Sequence, residues 1–182
     1  IRRAYSICSM NTEGITIGVK KVKGGRMSTF LTESIKKEDV LEVMPPSGNF
    51  VIKGNNKHIV GICAGSGVTP IISMIKTELA KQSETKFTLI YGNKTKDSSM
   101  FADELHQLQI NNSDRLKIHN AYSRQGVPGA ISGRLDKNTI QQLLNTFLPL
   151  KTADAYFICG PGELIDNTNE LLLLNNINQK KI

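Results

Sequence analysis

No apolar stretch in this sequence approaches the roughly 18 consecutive residues that a membrane-crossing helix needs. No run of five or six basic residues occurs either, so a dedicated nucleic-acid arm is not expected. There are only three cysteines, Cys8, Cys63 and Cys159. An odd, widely spaced set suggests neither a disulfide framework nor a four-ligand zinc site, and a reducing, cytoplasmic setting fits best. No signal-peptide pattern follows Ile1, and no internal repeat or low-complexity tract is found. His58, His106 and His119 are isolated from one another, as expected for surface or strand-end residues rather than metal ligands.

What is present is ordinary in bulk: 182 residues, 39% hydrophobic and 21% charged, enough for one good core and part of another. The net charge of +7 is spread along the chain. Residues 1–54 hold nine Lys/Arg against five Asp/Glu, and residues 55–182 hold fourteen against eleven. Diffuse positive charge favours anionic ligands such as phosphates, or an acidic partner protein.

Two regions differ in pattern. From about residue 54, apolar runs of strand length alternate with helical periodicity. Strands are expected over 57–63, 86–91, 116–122 and 155–159, and helices over 70–81, 100–110, 139–147 and 163–174. That alternation predicts a parallel sheet with crossover helices on both faces. Residues 1–53 are instead β-rich, with strands expected over 15–22 and 40–44 and a short helix near 27–31. Two or three strands cannot make a closed barrel, so this piece reads as the tail end of a β domain. The expected division is therefore 1–53 and 54–182. The polar tail, 175–182, is expected to fray.

The stretch IVGICAGSGVTPIISMIK, residues 59–76, runs from a strand through Gly65 and Gly67 into a helix. The third glycine of the ordinary dinucleotide fingerprint would fall at Pro70, and no Gly-Lys-Ser/Thr of a P-loop follows. The turn remains suited to a pyrophosphate. Glycines let backbone approach a ligand, Thr69 is an apt N-cap, and Pro70 fits a first helical turn. A tight structural turn without a ligand is the competing reading. Strand two ends in Tyr91-Gly92-Asn93-Lys94 with no carboxylate until Asp97, where NAD binders carry an acid for the ribose. Strand three ends in Tyr122-Ser123-Arg124, and a hydroxyl with a cation is what a 2′-phosphate wants. The fourth strand opens on Cys159-Gly160-Pro161-Gly162, bare backbone at the ligand edge of an α/β sheet. Cys159 has no base paired with it in sequence and reads as a small pocket-lining side chain; Cys63 reads as core. Near the N-terminus, Arg3 and Tyr5 share a face on a period of two, apt for a phosphate beside a stacked ring. Gly25-Arg26-Met27-Ser28-Thr29 offers a second glycine-led helix start.

Together these stretches resemble the ferredoxin–NADP reductase family, over nearly the whole chain and in the family's order. Arg3-x-Tyr5-Ser6 resembles its flavin-binding R-x-Y-S motif. The resemblance implies that Arg3 holds the FAD pyrophosphate, Tyr5 packs on the isoalloxazine and Ser6 approaches N5. Gly25, Met27, Ser28 and Thr29 resemble the second flavin segment. Pro46-x-Gly48-x-Phe50 is similar to the boundary between the family's two domains. Gly65, Gly67, Thr69 and Pro70 look like its nicotinamide dinucleotide loop. Lys94 stands where the family's Y-G-x-R has arginine. Ser123 and Arg124 match the pair that reads a 2′-phosphate, and Cys159-Gly160-Pro161 matches the turn near the nicotinamide. Within the family, MFADEL, SGRLD and MPPSGNF resemble the reductase subunits of the phenylacetyl-CoA epoxidase type.

The resemblance implies an α/β NAD(P)-binding domain preceded by the C-terminal part of an antiparallel β-barrel flavin domain. It implies an NAD(P)H-dependent flavin oxidoreductase that passes electrons from NADPH through FAD to an iron–sulfur centre or an oxygenase partner. Ser6, Thr69 and Cys159 would shape the place where the two redox rings meet. NADPH is expected over NADH, because Ser123 and Arg124 replace the acid. Reductases of that type continue into a 2Fe–2S domain, but no C-x4-C-x2-C run occurs in this chain, so no cluster is expected in these residues. The reductase half of a flavohaemoprotein or a free flavin reductase would share the pattern. A non-catalytic nucleotide-binding module is the rival of another class. Neither nucleic acid nor membrane is expected as a partner.

Overall fold

The computed structural model describes residues 2–10, 14–81, 84–147 and 149–182. Its centre is a parallel sheet of five strands: β1 His58–Ala64, β2 Lys86–Asn93, β3 Leu116–Tyr122, β4 Ile131–Ser132 and β5 Ala155–Cys159. They lie in the order β4-β3-β2-β1-β5. The central strands are apolar on both sides, as a sheet covered on both faces requires. One face packs on α2 (Val68–Ala80) and α3 (Ala102–Asn111), burying Ile71, Ile72, Ile75 and Leu105 against Ile59, Phe87 and Leu89. The other packs on α4 (Lys137–Thr146) and α6 (Gly162–Leu174), burying Ile140, Leu144, Leu164 and Leu172 against Val60, Ile62 and Ile90. A short α5 (Pro149–Thr152) joins α4 to β5.

Each isoleucine buried from α2 contributes roughly 1.5–3 kcal/mol of transfer free energy. Because β-branched residues are indifferent helix formers, it is this face on the sheet that holds α2 helical. Gly61 lets α2 lie close. A Cβ there would meet Ile71 Cγ2 at 2.9 Å and Phe87 Cε1 at 3.1 Å. The connections through α2 and α3 lead away from β1 on one side, and β5 returns to its other side. The C-terminal ends of β1 and β5 therefore flank the topological switch point, where open α/β sheets bind ligands.

The four long strands and their helices follow the sequence expectation, with ends displaced by one or two residues. Three expectations fail. The strands expected over 15–22 and 40–44 are not formed, and the period-of-two stretch that carries Arg3 and Tyr5 is not a strand either. One antiparallel bridge, Ile7 to Ile17, stands in their place, with Cys8 N–H donating to Thr16 O at 2.9 Å. A strand needs a neighbour for its backbone groups. Val40, Val43 and Met44 are 92%, 82% and 68% exposed and find no such neighbour among the described residues. The short helix is present as α1, Arg26–Thr29, and continues as a π-helical turn over Phe30–Ser34.

Thr69 is not the N-cap of α2. A 3₁₀ turn over Gly65–Gly67 advances the helix start to Val68, and Thr69 Oγ1 donates to Ser66 O at 2.9 Å inside the first turn. The tail does not fray. Ile177 is buried, a 3₁₀ turn forms over Gln179–Lys181, and Lys181 Nζ donates to Ala153 O at 2.9 Å. Ile177 and Ile182 give this polar stretch an apolar anchor on the core.

Candidate functional site

A cleft of about 1360 Å³ runs along the C-terminal edge of the sheet. The N-terminal segment forms its other wall. That segment is held against α2 by polar contacts: Ser73 Oγ donates to Ser9 O at 3.0 Å, and Lys76 Nζ to Cys8 O at 3.3 Å. Cys8 is buried in the same apolar cluster as α2. Gly18 makes the approach close, because a Cβ there would meet Thr69 Cγ2 at 2.7 Å and Phe101 Cζ at 2.9 Å. Lys20 closes the join from the cleft side, donating to Ser98 O at 2.9 Å.

The N-terminal wall carries Arg3, Tyr5 and Ser6, then Gly25, Met27 and Ser28. Ser28 Oγ accepts from Val22 N–H at 3.1 Å and donates to Gly25 O at 3.3 Å, which ties the turn to the helix it opens. Thr29 does not line the cleft; its N–H closes the same turn on Gly25 O at 3.0 Å.

Across the cleft, Gly65, Gly67 and Thr69 meet Cys159, Gly160 and Pro161. Cys63 pairs in register with Cys159. Gly65 sits at φ +57, the left-handed region that suits glycine. Gly67 has no room for a side chain: a Cβ there would lie 2.6 Å from the Cys159 carbonyl carbon and 3.0 Å from Gly160 N. The two turns thus touch backbone to backbone, and the starts of α2 and α6 converge on one point. Helix starts carry partial positive charge. Pro70, within the first turn of α2, lies off the cleft. Burial raises the Cys159 thiol above its ordinary value, which disfavours the thiolate.

The far end is cationic. Past the sheet's end the β2–β3 ladder continues, with Ser123 N–H donating to Asn93 O at 3.0 Å and Arg124 N–H to Lys94 O at 2.9 Å. That register sets Ser123 and Arg124 beside Lys94. Arg134 joins them, delivered by β4, whose Ser132 pairs with Tyr122. Six cations line the cleft, Arg3, Lys20, Arg26, Lys94, Arg124 and Arg134, against two carboxylates, Asp136 and Glu163. Burial first, and then Lys94, lower the Lys20 ammonium. Asp136 is held below the usual carboxylate range by Thr139 N–H, which its side chain caps at 2.9 Å. The balance favours an anionic ligand along the whole floor.

Lys20, Arg26, Asn93 and Arg134 were not among the site residues expected from sequence. Lys20 and Arg134 enter through tertiary placement, and the two-residue strand behind Arg134 is too short to leave a period. Arg26 lies inside the glycine-led segment and had a local signal.

A bare backbone approach that a Cβ would block, two helix starts and a surplus of cations suit phosphate-bearing ligands. The comparisons with known proteins agree. The family model described as an oxidoreductase NAD-binding domain matches residues 62–170, and that of an oxidoreductase FAD-binding domain matches residues 1–52. The chain is 36% identical over 177 residues to one of the subunits of the 1,2-phenylacetyl-CoA epoxidase of Escherichia coli, covering 94% of this chain and 50% of that protein. It is 33% identical over 175 residues to the ferredoxin reductase component of 3-ketosteroid-9-alpha-monooxygenase from Rhodococcus rhodochrous, covering 94% and 46%. Among solved structures, the cytochrome b5 reductase domain of Ulva prolifera nitrate reductase superposes with a TM-score of 0.77 at 25% identity, covering 97% of this chain and 74% of that one. The chain spans about half the length of the two protein relatives it matches. With an NAD-binding domain matched over most of its length and an FAD-binding domain before it, the chain belongs to the FAD- and NAD-binding oxidoreductases of the ferredoxin reductase family.

Proposed function

We propose that this chain is the electron-entry part of an oxygenase reductase, taking electrons from NADPH and passing them through FAD to an iron–sulfur centre or oxygenase partner. The observation that carries the reading is the cleft itself, a flavin-type wall and a dinucleotide-type wall joined by Lys20, Gly18 and Ser73. Residues 1–53 form the flavin side and residues 54–182 the nicotinamide side. The setting is cytoplasmic; among the described residues no helix is long and apolar enough to cross a membrane.

When bound, the cofactors supply hydride transfer from nicotinamide to flavin and its conversion to single-electron delivery. The residues bind and orient. Arg3, Met27 and Ser28 would hold the flavin diphosphate, with Gly25 letting the turn that carries Met27 and Ser28 close on Val22. Tyr5 packs on the flavin ring and Ser6 offers its hydroxyl to the ring edge. Gly65, Gly67, Gly160 and Pro161 would present bare backbone to the second diphosphate, and Thr69 and Cys159 would line the nicotinamide's side of the cleft. Lys94, Ser123, Arg124 and Arg134 hold the 2′-phosphate. No side chain is required as a strong acid or base, so rate depends on alignment.

The test is anaerobic mixing of the FAD-reconstituted chain with each nucleotide. NADPH should bleach the flavin absorbance, and NADH should do so only at higher concentration. Arg124→Ala should weaken NADPH by about tenfold or more, the scale of one lost charge-assisted pair, and leave NADH unchanged. Equal losses for both would remove the 2′-phosphate assignment. Flavin that NADPH leaves oxidised would favour a nucleotide-binding module without turnover.

A further inference from the structure

Lys76 lies well inside α2 with its side chain only 15% exposed. An ammonium that far from water needs partners. It has two, on different parts of the chain. Its Nζ pairs with Glu104 Oε1 of α3 at 2.5 Å and donates to Cys8 O at 3.3 Å. Ser73, three residues earlier and so on the same helix face, donates to Ser9 O at 3.0 Å. An ion pair between two helices would by itself be a fold contact. The third partner makes it more, because Cys8 belongs to the segment that carries Arg3, Tyr5 and Ser6.

That segment has little else to hold it. Among residues 2–10 only Cys8 and Ser9 are buried. They are fixed locally: Cys8 N–H donates to Thr16 O at 2.9 Å, and Ser9 Oγ accepts from Thr16 N–H at 3.0 Å. Tyr5 stands three residues before Cys8, a reach of no more than about 11 Å. The start of α3 braces the same wall a second time. Phe101, three residues before Glu104, sits at φ +59, where a bulky side chain rarely stays. Strain of that kind persists where the surroundings enforce it. Its ring tip reaches the Gly18 approach, 2.9 Å from where a Cβ would stand. α2 itself begins at the Gly65–Gly67 turn, so one helix touches both walls of the cleft. Neither Lys76 nor Glu104 lines that cleft. We propose that Lys76 and Glu104 are a positioning pair, a charged clasp that fixes the flavin side against the nicotinamide side. This rests on the two-cofactor reading above and names what aligns the two rings.

Two readouts test it, one without any cofactor. In the cofactor-free chain, Lys76→Met should speed amide hydrogen exchange at Cys8 by about tenfold or more, and leave Ile62 and Leu89 unchanged. In the FAD-reconstituted chain it should lower the limiting rate of flavin reduction by NADPH by about 10- to 100-fold. NADP⁺ affinity should stay within about twofold, because the start of α2 is untouched. Glu104→Gln should act in the same direction, and the double variant should be no worse than Lys76→Met alone. Lys76→Arg, which keeps the charge, should recover most of the rate. The assignment is overturned if the limiting rate or the Cys8 exchange stays at the wild-type value, or if NADP⁺ affinity falls as far as the rate. Exchange that quickens equally at Cys8, Ile62 and Leu89 would mean general destabilisation and would overturn it too. So would a double variant whose loss is the product of the two single losses. A reducible wild type with silent Lys76 variants removes only the clasp. A wild-type flavin that NADPH leaves oxidised removes the two-cofactor reading, and this inference with it.

Discussion

Gly67→Ala tests whether the contact between the two cofactor turns makes the site. The added methyl would sit 2.6 Å from the Cys159 carbonyl carbon, 3.0 Å from Gly160 N and closer still to the carbonyl oxygen. Ordinary carbon–carbon separation is about 3.5–4.0 Å, so the turn must retreat by about 1 Å. The obstacle is backbone, with no side-chain rotamer to swing aside. Overpacking typically costs about 1–3 kcal/mol, and this case belongs at the upper end. That is a sizeable part of a domain stability of about 5–15 kcal/mol. Because both turns line the cleft, a 1 Å shift there should also lower the flavin reduction rate by as much as about 100-fold. Urea unfolding gives the first quantity, and titration with NADP⁺ followed by anaerobic flavin reduction gives the second. Gly126→Ala is the control, since nothing lies within 4 Å of its Cβ position; it should stay within about 0.5 kcal/mol. A Gly67→Ala protein with unchanged stability and binding would refute the argument that backbone contact at the switch point shapes the site.

Gly18→Ala should loosen the N-terminal wall, since its Cβ would strike Thr69 and Phe101. Flavin affinity and reduction rate should fall with little change in NADP⁺ affinity; equal loss of both would contradict a joining role. Acid should destabilise the fold through two histidines. Burial foremost lowers both His58, which is bonded to Thr88 at 2.9 Å, and His119, whose Nε2 is buried without a partner among the described residues. The folded state holds them neutral and the unfolded chain takes protons first. Their contribution is therefore full above the ordinary histidine value of about 6.5 and is lost as pH falls through the lowered values. Urea midpoints should drop between about pH 7 and about pH 5, and His119→Leu should reduce the drop. A His119→Leu slope equal to wild type would exclude that residue.

Much of the sheet was legible because β1, β5 and the middle of β2 are apolar runs bounded by glycine or polar turns, while β3, interrupted by Lys117, His119 and Asn120, carried a weaker pattern. β4 was not, since two residues leave no period. The N-terminal strands were misjudged for a different reason. Alternation in Ile15–Val22 and Val40–Met44 states a preference, but pairing needs a second backbone, and among the described residues of this segment only Ile7 and Ile17 find each other. Thr69 was placed by a local capping rule that the 3₁₀ turn before it overrode. The glycine turns, Ser123, Arg124 and Cys159 were legible as site residues because their signals are local. Lys20 and Arg134 were not. An ammonium drawn to a carbonyl 78 residues away exists only after folding.

The central claim is that the glycine-opened strand ends hold the nicotinamide dinucleotide. Backbone amide shifts of the isotope-labelled chain during titration with NADP⁺ test it most directly. The largest changes are expected at Gly65, Gly67, Ser123, Arg124 and Gly160, saturating together. Shifts concentrated away from those strand ends, or none at saturating nucleotide, would contradict it.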